Sequence, residues 1–134
     1  MNRTIQFRAR RTDNGQWAYG SLLTRGDRAA ITNLSVSTTI IDVDEKTIGQ
    51  YTGLRDLDGT PIYEGDIVRW NRDGLCYVVK FWRGMFYASV EELNPGTLGG
   101  YPLWGFQPNP DETYGCRITG NIHNKPNPTD PTDK

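Results

Sequence analysis

Ile5, Phe7 and Ala9 alternate with Gln6, Arg8 and Arg10, the two-residue period of a half-buried strand with a polar outer face. Asp13-Asn14-Gly15 follows as a turn, because asparagine and glycine accept positive φ. Trp17 to Leu23 reads as the returning strand, which makes an N-terminal hairpin. Between 24 and 46 the pattern is weaker. Strands are expected at Ala30 to Leu34 and at Thr38 to Val43, where Thr, Ile and Val favour extended backbone, and Asp44 to Thr47 can open a single helical turn.

Thr47 to Thr52 reads as extended, and Leu57 to Pro61 as a turn. Ile67 to Trp70, Cys76 to Trp82 and Met85 to Val90 are three further strands whose short connections force antiparallel neighbours, so a meander is expected. Residues 91–115 form a long Pro/Gly-rich connection, expected to lie outside the barrel, and Cys116 to Ile122 is a last strand. Residues 124–134 carry three prolines and no large apolar side chain, the composition of a disordered tail. No segment has an apolar stripe at helical spacing, so the fold class is all-β with little helix.

Length admits one ordinary domain or two very small β units sharing a core, since the chain has 134 residues. Fifteen glycines and eight prolines favour short strands and tight turns. The charge is nearly balanced, 15 basic against 16 acidic residues, so no overall field draws the chain to nucleic acid. Locally it is uneven. Residues 1–30 carry six arginines against Asp13 and Asp27, and residues 31–68 carry two basic against seven acidic residues. Opposed patches on one chain suit contacts between copies, and a homo-oligomer is expected. The opening residues have no long apolar run, so no signal peptide or membrane span is expected, and the expected compartment is the cytoplasm.

Candidate chemistry is sparse. Cys76 and Cys116 stand 40 positions apart and His123 is the single histidine, too few ligands for structural zinc; both thiols are expected to be buried. Asp56, Asp58, Glu64 and Asp66 lie within eleven residues. They read first as turn and surface charge, then as a cation site, and last as an acid/base pair. Arg8 and Arg10 share a strand face about 6.6 Å apart, and with Arg3, Arg11, Trp17 and Tyr19 they suggest phosphate contact with base stacking. The plainer reading is an arginine-bearing edge strand or an ion-pair interface. Tyr101, Leu103, Trp104 and Phe106 are four large apolar residues in the long connection. They either cover an open barrel end, contact another subunit or contact a ligand.

One stretch is more specific. Thr47-Ile48-Gly49-Gln50-Tyr51-Thr52-Gly53-Leu54-Arg55-Asp56, continuing through Gly59 and Ile62-Tyr63-Glu64-Gly65-Asp66-Ile67-Val68, resembles the signature of the YopX family of phage and prophage proteins. Weaker matches flank it in order, at Ile5 to Ala9, at Val79-Lys80-Phe81 with Gly84 and Phe86, and at Gly120-Asn121-Ile122. The family commonly has tryptophan and aspartate where Arg10 and Arg11 stand here, and an aromatic and an acid in place of His123 and Asn124. The resemblance implies a single all-β domain over 1–123, with an N-terminal hairpin part (1–46) and an SH3-like small barrel (47–123). It also implies symmetric oligomers and no assigned activity.

The motif itself reads as a folding device. Gly49 and Gly53 suit tight backbone, Tyr51 and Leu54 suit core, and Tyr63-Glu64-Gly65-Asp66 makes a sharp corner in which acids cap free amides. The expected function is that of a non-enzymatic, oligomeric interaction protein, without cofactor, that binds a host or phage macromolecule. The alternatives are a nucleic-acid-binding barrel using the N-terminal arginines, and a protein that sequesters a small nucleotide between subunits.

Overall fold

The computed structural model describes residues 4–33, 39–94, 96–108 and 114–124. The expected tail beyond Asn124, and the expected strand positions at Leu34 and Thr38, lie outside them. Eleven strands form two antiparallel sheets among the described residues. The strands are β1 Phe7–Arg10, β2 Trp17–Arg25, β3 Arg28–Thr32, β4 Ile40–Val43, β5 Gly49–Arg55, β6 Pro61–Tyr63, β7 Asp66–Trp70, β8 Cys76–Trp82, β9 Met85–Ser89, β10 Gly100–Pro102 and β11 Cys116–Asn121. The first sheet runs β4-β3-β2-β1-β5-β6 and the second β10-β9-β8-β7-β11. Both ladders are open in their hydrogen bonding. The all-β expectation holds, and the only helical pieces among the described residues are two 3-10 turns, Glu45–Thr47 and Leu103–Phe106. The first is capped by Asp44, whose side chain accepts from the Lys46 amide.

The buried apolar side chains fall into two clusters. The larger cluster gathers Ile62, Val68, Tyr77, Val79, Ala88, Val90, Leu103, Phe106 and Cys116. The smaller has Ala9, Ala18, Ala29, Ile31 and Val43. Small side chains dominate the second cluster, so its strands gain less apolar burial than those of the first. Ile62 of β6, with Leu54 of β5 packed beside it, carries the larger cluster across from the second sheet to the first.

Backbone hydrogen bonds join the units at a corner. Gly65 donates to Val79 O at 2.8 Å, and its own carbonyl accepts from the Ile122 amide at 2.8 Å. Gly65 sits at φ 89°, the left-handed region open to glycine, and a side chain there would also meet the His123 ring at 3.3 Å. Gly49 answers a different need: an added Cβ would lie 2.6 Å from Glu64 O, so β5 approaches the corner as closely as it does only because the side chain is missing.

Two expectations about packing are corrected. The described part of the segment 91–115 does not lie outside the fold: it pairs β10 with β9 and sends Leu103 and Phe106 into the larger core. The first strand does not present a polar outer face, because Arg8 on that face is only 6% exposed. The residues opposite it on the corner supply the reason.

Candidate functional site

Strand β1 is held between β2 and β5, and this places Arg8 against the corner formed by β6 and β7. Its Nη2 lies 2.7 Å from Asp66 Oδ1, and the Asp66 side chain is as buried as its own. The other oxygen, Asp66 Oδ2, accepts the Tyr63 amide at 2.8 Å. The guanidinium stacks between Trp17, at 4.3 Å, and Tyr63, at 4.8 Å, and both rings attract the cation through their π faces. Arg10 closes the stack over Trp17 at 4.3 Å and donates from Nη1 to Gly15 O. Burial pushes the Asp66 carboxyl upward, against the Arg8 charge and the Tyr63 amide, which pull it down. Arg8 Nε is buried without a hydrogen-bond partner.

The carboxylates expected at turns and on the surface are sorted by the structure. Asp58 is exposed and pairs with Arg117 at 3.3 Å. Glu64 is half-buried and accepts the Gln50 amide through Oε1 at 3.0 Å; burial pushes its carboxyl upward. Asp56 and Asp66 are buried, which corrects the surface reading. Asp56 Oδ1 accepts from the amides of Asp58 and Thr60, both at 2.9 Å, and Oδ2 accepts from Ile118 at 3.1 Å. The acids of the motif act on backbone amides, as an Asx-type turn does.

The remaining candidates scatter. Arg11 is tied to Asp13 by two hydrogen bonds, at 2.8 and 2.9 Å. Tyr19 is 44% exposed and meets Tyr63 edge to face, with ring centres 5.7 Å apart. Tyr51 tilts against the same ring at 5.6 Å. Gly53 sits at φ 84° with open space around it. Arg8, Arg10 and Trp17 thus come together, but as a stack in which Arg8 is buried against Asp66 rather than as an exposed row along the strand face.

A second surface carries exposed aromatics. Phe81 and Trp82 at the end of β8 are open to solvent, and Trp104 is 71% exposed although its neighbours Leu103 and Phe106 are buried. A groove beside them is lined by Tyr51, Leu54, Phe81, Met85, Phe86 and Trp104. The adjoining hairpin turn holds Arg83 at φ 51°, unusual for a residue with a side chain, with its guanidinium 4.5 Å over Trp82. Tyr101 stays half-open against Trp70, Tyr77 and Phe106.

Of the expected thiols, Cys116 is buried and Cys76 only half so. Burial, and then the nearby Asp56 charge, push the Cys116 thiol up to about 12. No group of metal-binding side chains occurs among the described residues, and no helix among them is long and apolar enough to cross a membrane.

Sequence reasoning missed β6, β10, the second 3-10 turn and the Arg8–Asp66 pair. One signal for the pair was present: an arginine between Phe7 and Ala9 on one strand, and an acid, Asp66, directly before the apolar Ile67-Val68 on another.

Two small antiparallel sheets, clamped at a glycine corner by a buried arginine–aspartate pair, define a compact all-β protein built around the motif of residues 47–68. The family model described as YopX protein matches residues 6–128, and the chain belongs to that family. No curated protein matches it.

Proposed function

We propose that this YopX family member is a non-catalytic binding protein, encoded by a phage or prophage, that works in the bacterial cytoplasm as a homo-oligomer and engages a host or phage macromolecule. The observation that carries the reading is the pair of exposed aromatics Phe81 and Trp104 on the wall of one groove. Exposed apolar clusters of this kind mark contact surfaces, and tryptophan is enriched at their energetic centres.

Against catalysis stands the engagement of the carboxylates. Asp56 and Asp66 accept buried amides and an arginine, which leaves them poorly placed to move protons to a substrate. The second half reads as an SH3-like barrel: the Leu57 amide, just past β5, donates to Cys116 O at the start of β11 at 2.9 Å, which brings first and last strands of that half together at one end.

Light scattering at micromolar concentration tests the oligomer. A mass of several chains that falls to one chain in Trp104→Ala supports this reading; a monomer at all concentrations removes it.

A further inference from the structure

A groove opens over the clamp, bounded by Gln6, Tyr19, Thr60, Pro61, Gly120 and Asn121, with Arg8 and Asp66 on its wall. Its space of about 490 Å³ lies within the range of small-molecule sites. Arg8 is the unusual element. A guanidinium has five N–H donors, yet this one meets its aspartate through a single short contact, since Asp66 Oδ2 already serves the Tyr63 amide. Its one other hydrogen bond is a 3.5 Å approach of Nη2 to Glu64 O, and Nε is unpartnered. A buried arginine with unengaged donors on the wall of an open groove favours a ligand that brings an acceptor.

Charge narrows the class. Among the described residues, Arg8 and Asp66 are the only charged side chains lining the groove, and they cancel. A phosphate or carboxylate would face the Asp66 charge, whereas a neutral carbonyl would not. Shape narrows it further. Tyr19 stands half-open at the rim, its ring steadied edge to face by Tyr63, and offers a planar surface for stacking. The Tyr63 oxygen accepts from Gln6 Nε2 at 2.6 Å, and the Gln6 side chain, which also carries an acceptor oxygen, lines the groove.

From these observations we propose that the groove binds a neutral, oxo-bearing nucleobase, stacked on Tyr19 with its carbonyl toward Arg8. The site lies within one subunit, so it does not depend on the oligomer proposed above.

Titration calorimetry of the full chain with uridine, guanosine and inorganic phosphate tests it, with short single-stranded oligonucleotides as a further arm. Binding of either nucleoside at about 1 mM or below, without binding of phosphate, is expected. Tighter binding of an oligonucleotide that still requires its bases, shown by failure of an abasic strand, would place the base in a strand and keep the proposal. Tyr19→Ala should weaken the nucleoside about tenfold, as the loss of one stacking partner does. Gly120→Val is the second variant. A Cβ at Gly120 meets nothing within 4 Å, so the fold should tolerate it while the added bulk narrows the groove and lowers affinity. Phosphate binding equal to that of the nucleosides, no nucleoside binding, or binding that neither variant changes would each overturn the proposal.

Discussion

Asp56 and Ile118, 62 residues apart in the chain, are joined by one hydrogen bond, in which the Ile118 amide donates to Asp56 Oδ2 at 3.1 Å. The bond lies where the pairing of β11 with β7 slips, between Ile118 and Gly120. A bulge frees an amide from its ladder, and here a side chain from the other sheet's loop receives it. Asp56→Ala removes the acceptor for three amides at once, so a loss of about 3 kcal/mol is expected. Asp56→Asn, which keeps one oxygen, should lose less. Urea denaturation of the two variants checks the order.

Arg8 and Asp66 should behave as a unit. Removing either partner leaves an uncompensated buried charge, at a cost of about 3 to 5 kcal/mol for Arg8→Met or Asp66→Asn alone. The double variant should cost clearly less than the two singles added together. Strict additivity in a double-mutant cycle would show that the clamp is not an interacting pair.

The buried thiol makes stability sensitive to alkali. Its folded value lies near 12 against an ordinary value of 9.0, so the folded chain keeps a proton that the unfolded chain releases. The contribution is fully present below pH 9 and is lost as pH rises from 9 toward 12. Wild type should therefore lose stability more steeply than Cys116→Ala over the accessible part of that window. In native protein a thiol reagent should label Cys76 first, and Cys116 only on unfolding.

Trp104→Ala should separate surface from core. Its side chain is exposed, so stability should change by less than about 0.5 kcal/mol, while the mass in solution falls. Phe106→Ala, in the same 3-10 turn but buried, should instead cost about 3 to 5 kcal/mol. Equal effects from both substitutions would contradict the division of this segment into an inner and an outer side.

Strands with clear alternation and tight turns were legible: β8 falls on the expected residues, and β2, β7, β9 and β11 differ only at their ends. What escaped was long-range. A three-residue strand such as Pro61–Tyr63 has no period to detect, and Leu103–Phe106 looks like loop until its partners in the larger core are known. The outward reading of Arg8 failed because polarity predicts solvent only when no buried acid waits opposite. Gly49 and Gly65 were recognised as positions of tight backbone, but their particular neighbours, Glu64 and His123, could not be read from spacing.

The clamp between β1 and β7 also sets an order of events during synthesis. Arg8 leaves the ribosome tens of residues before Asp66, and β5, the other neighbour of β1, emerges only shortly before that acid. Until then the N-terminal hairpin has only its small, alanine-rich core to hold it, and a pairing so distant in sequence forms slowly. The nascent hairpin therefore waits with an unmatched cation among its aromatics, and the emergence of residues 47–68 supplies both the partner strand of β1 and the acid that Arg8 pairs with. A stalled chain ending before that motif should be readily cleaved by protease in its first thirty residues, and one extending past it should resist.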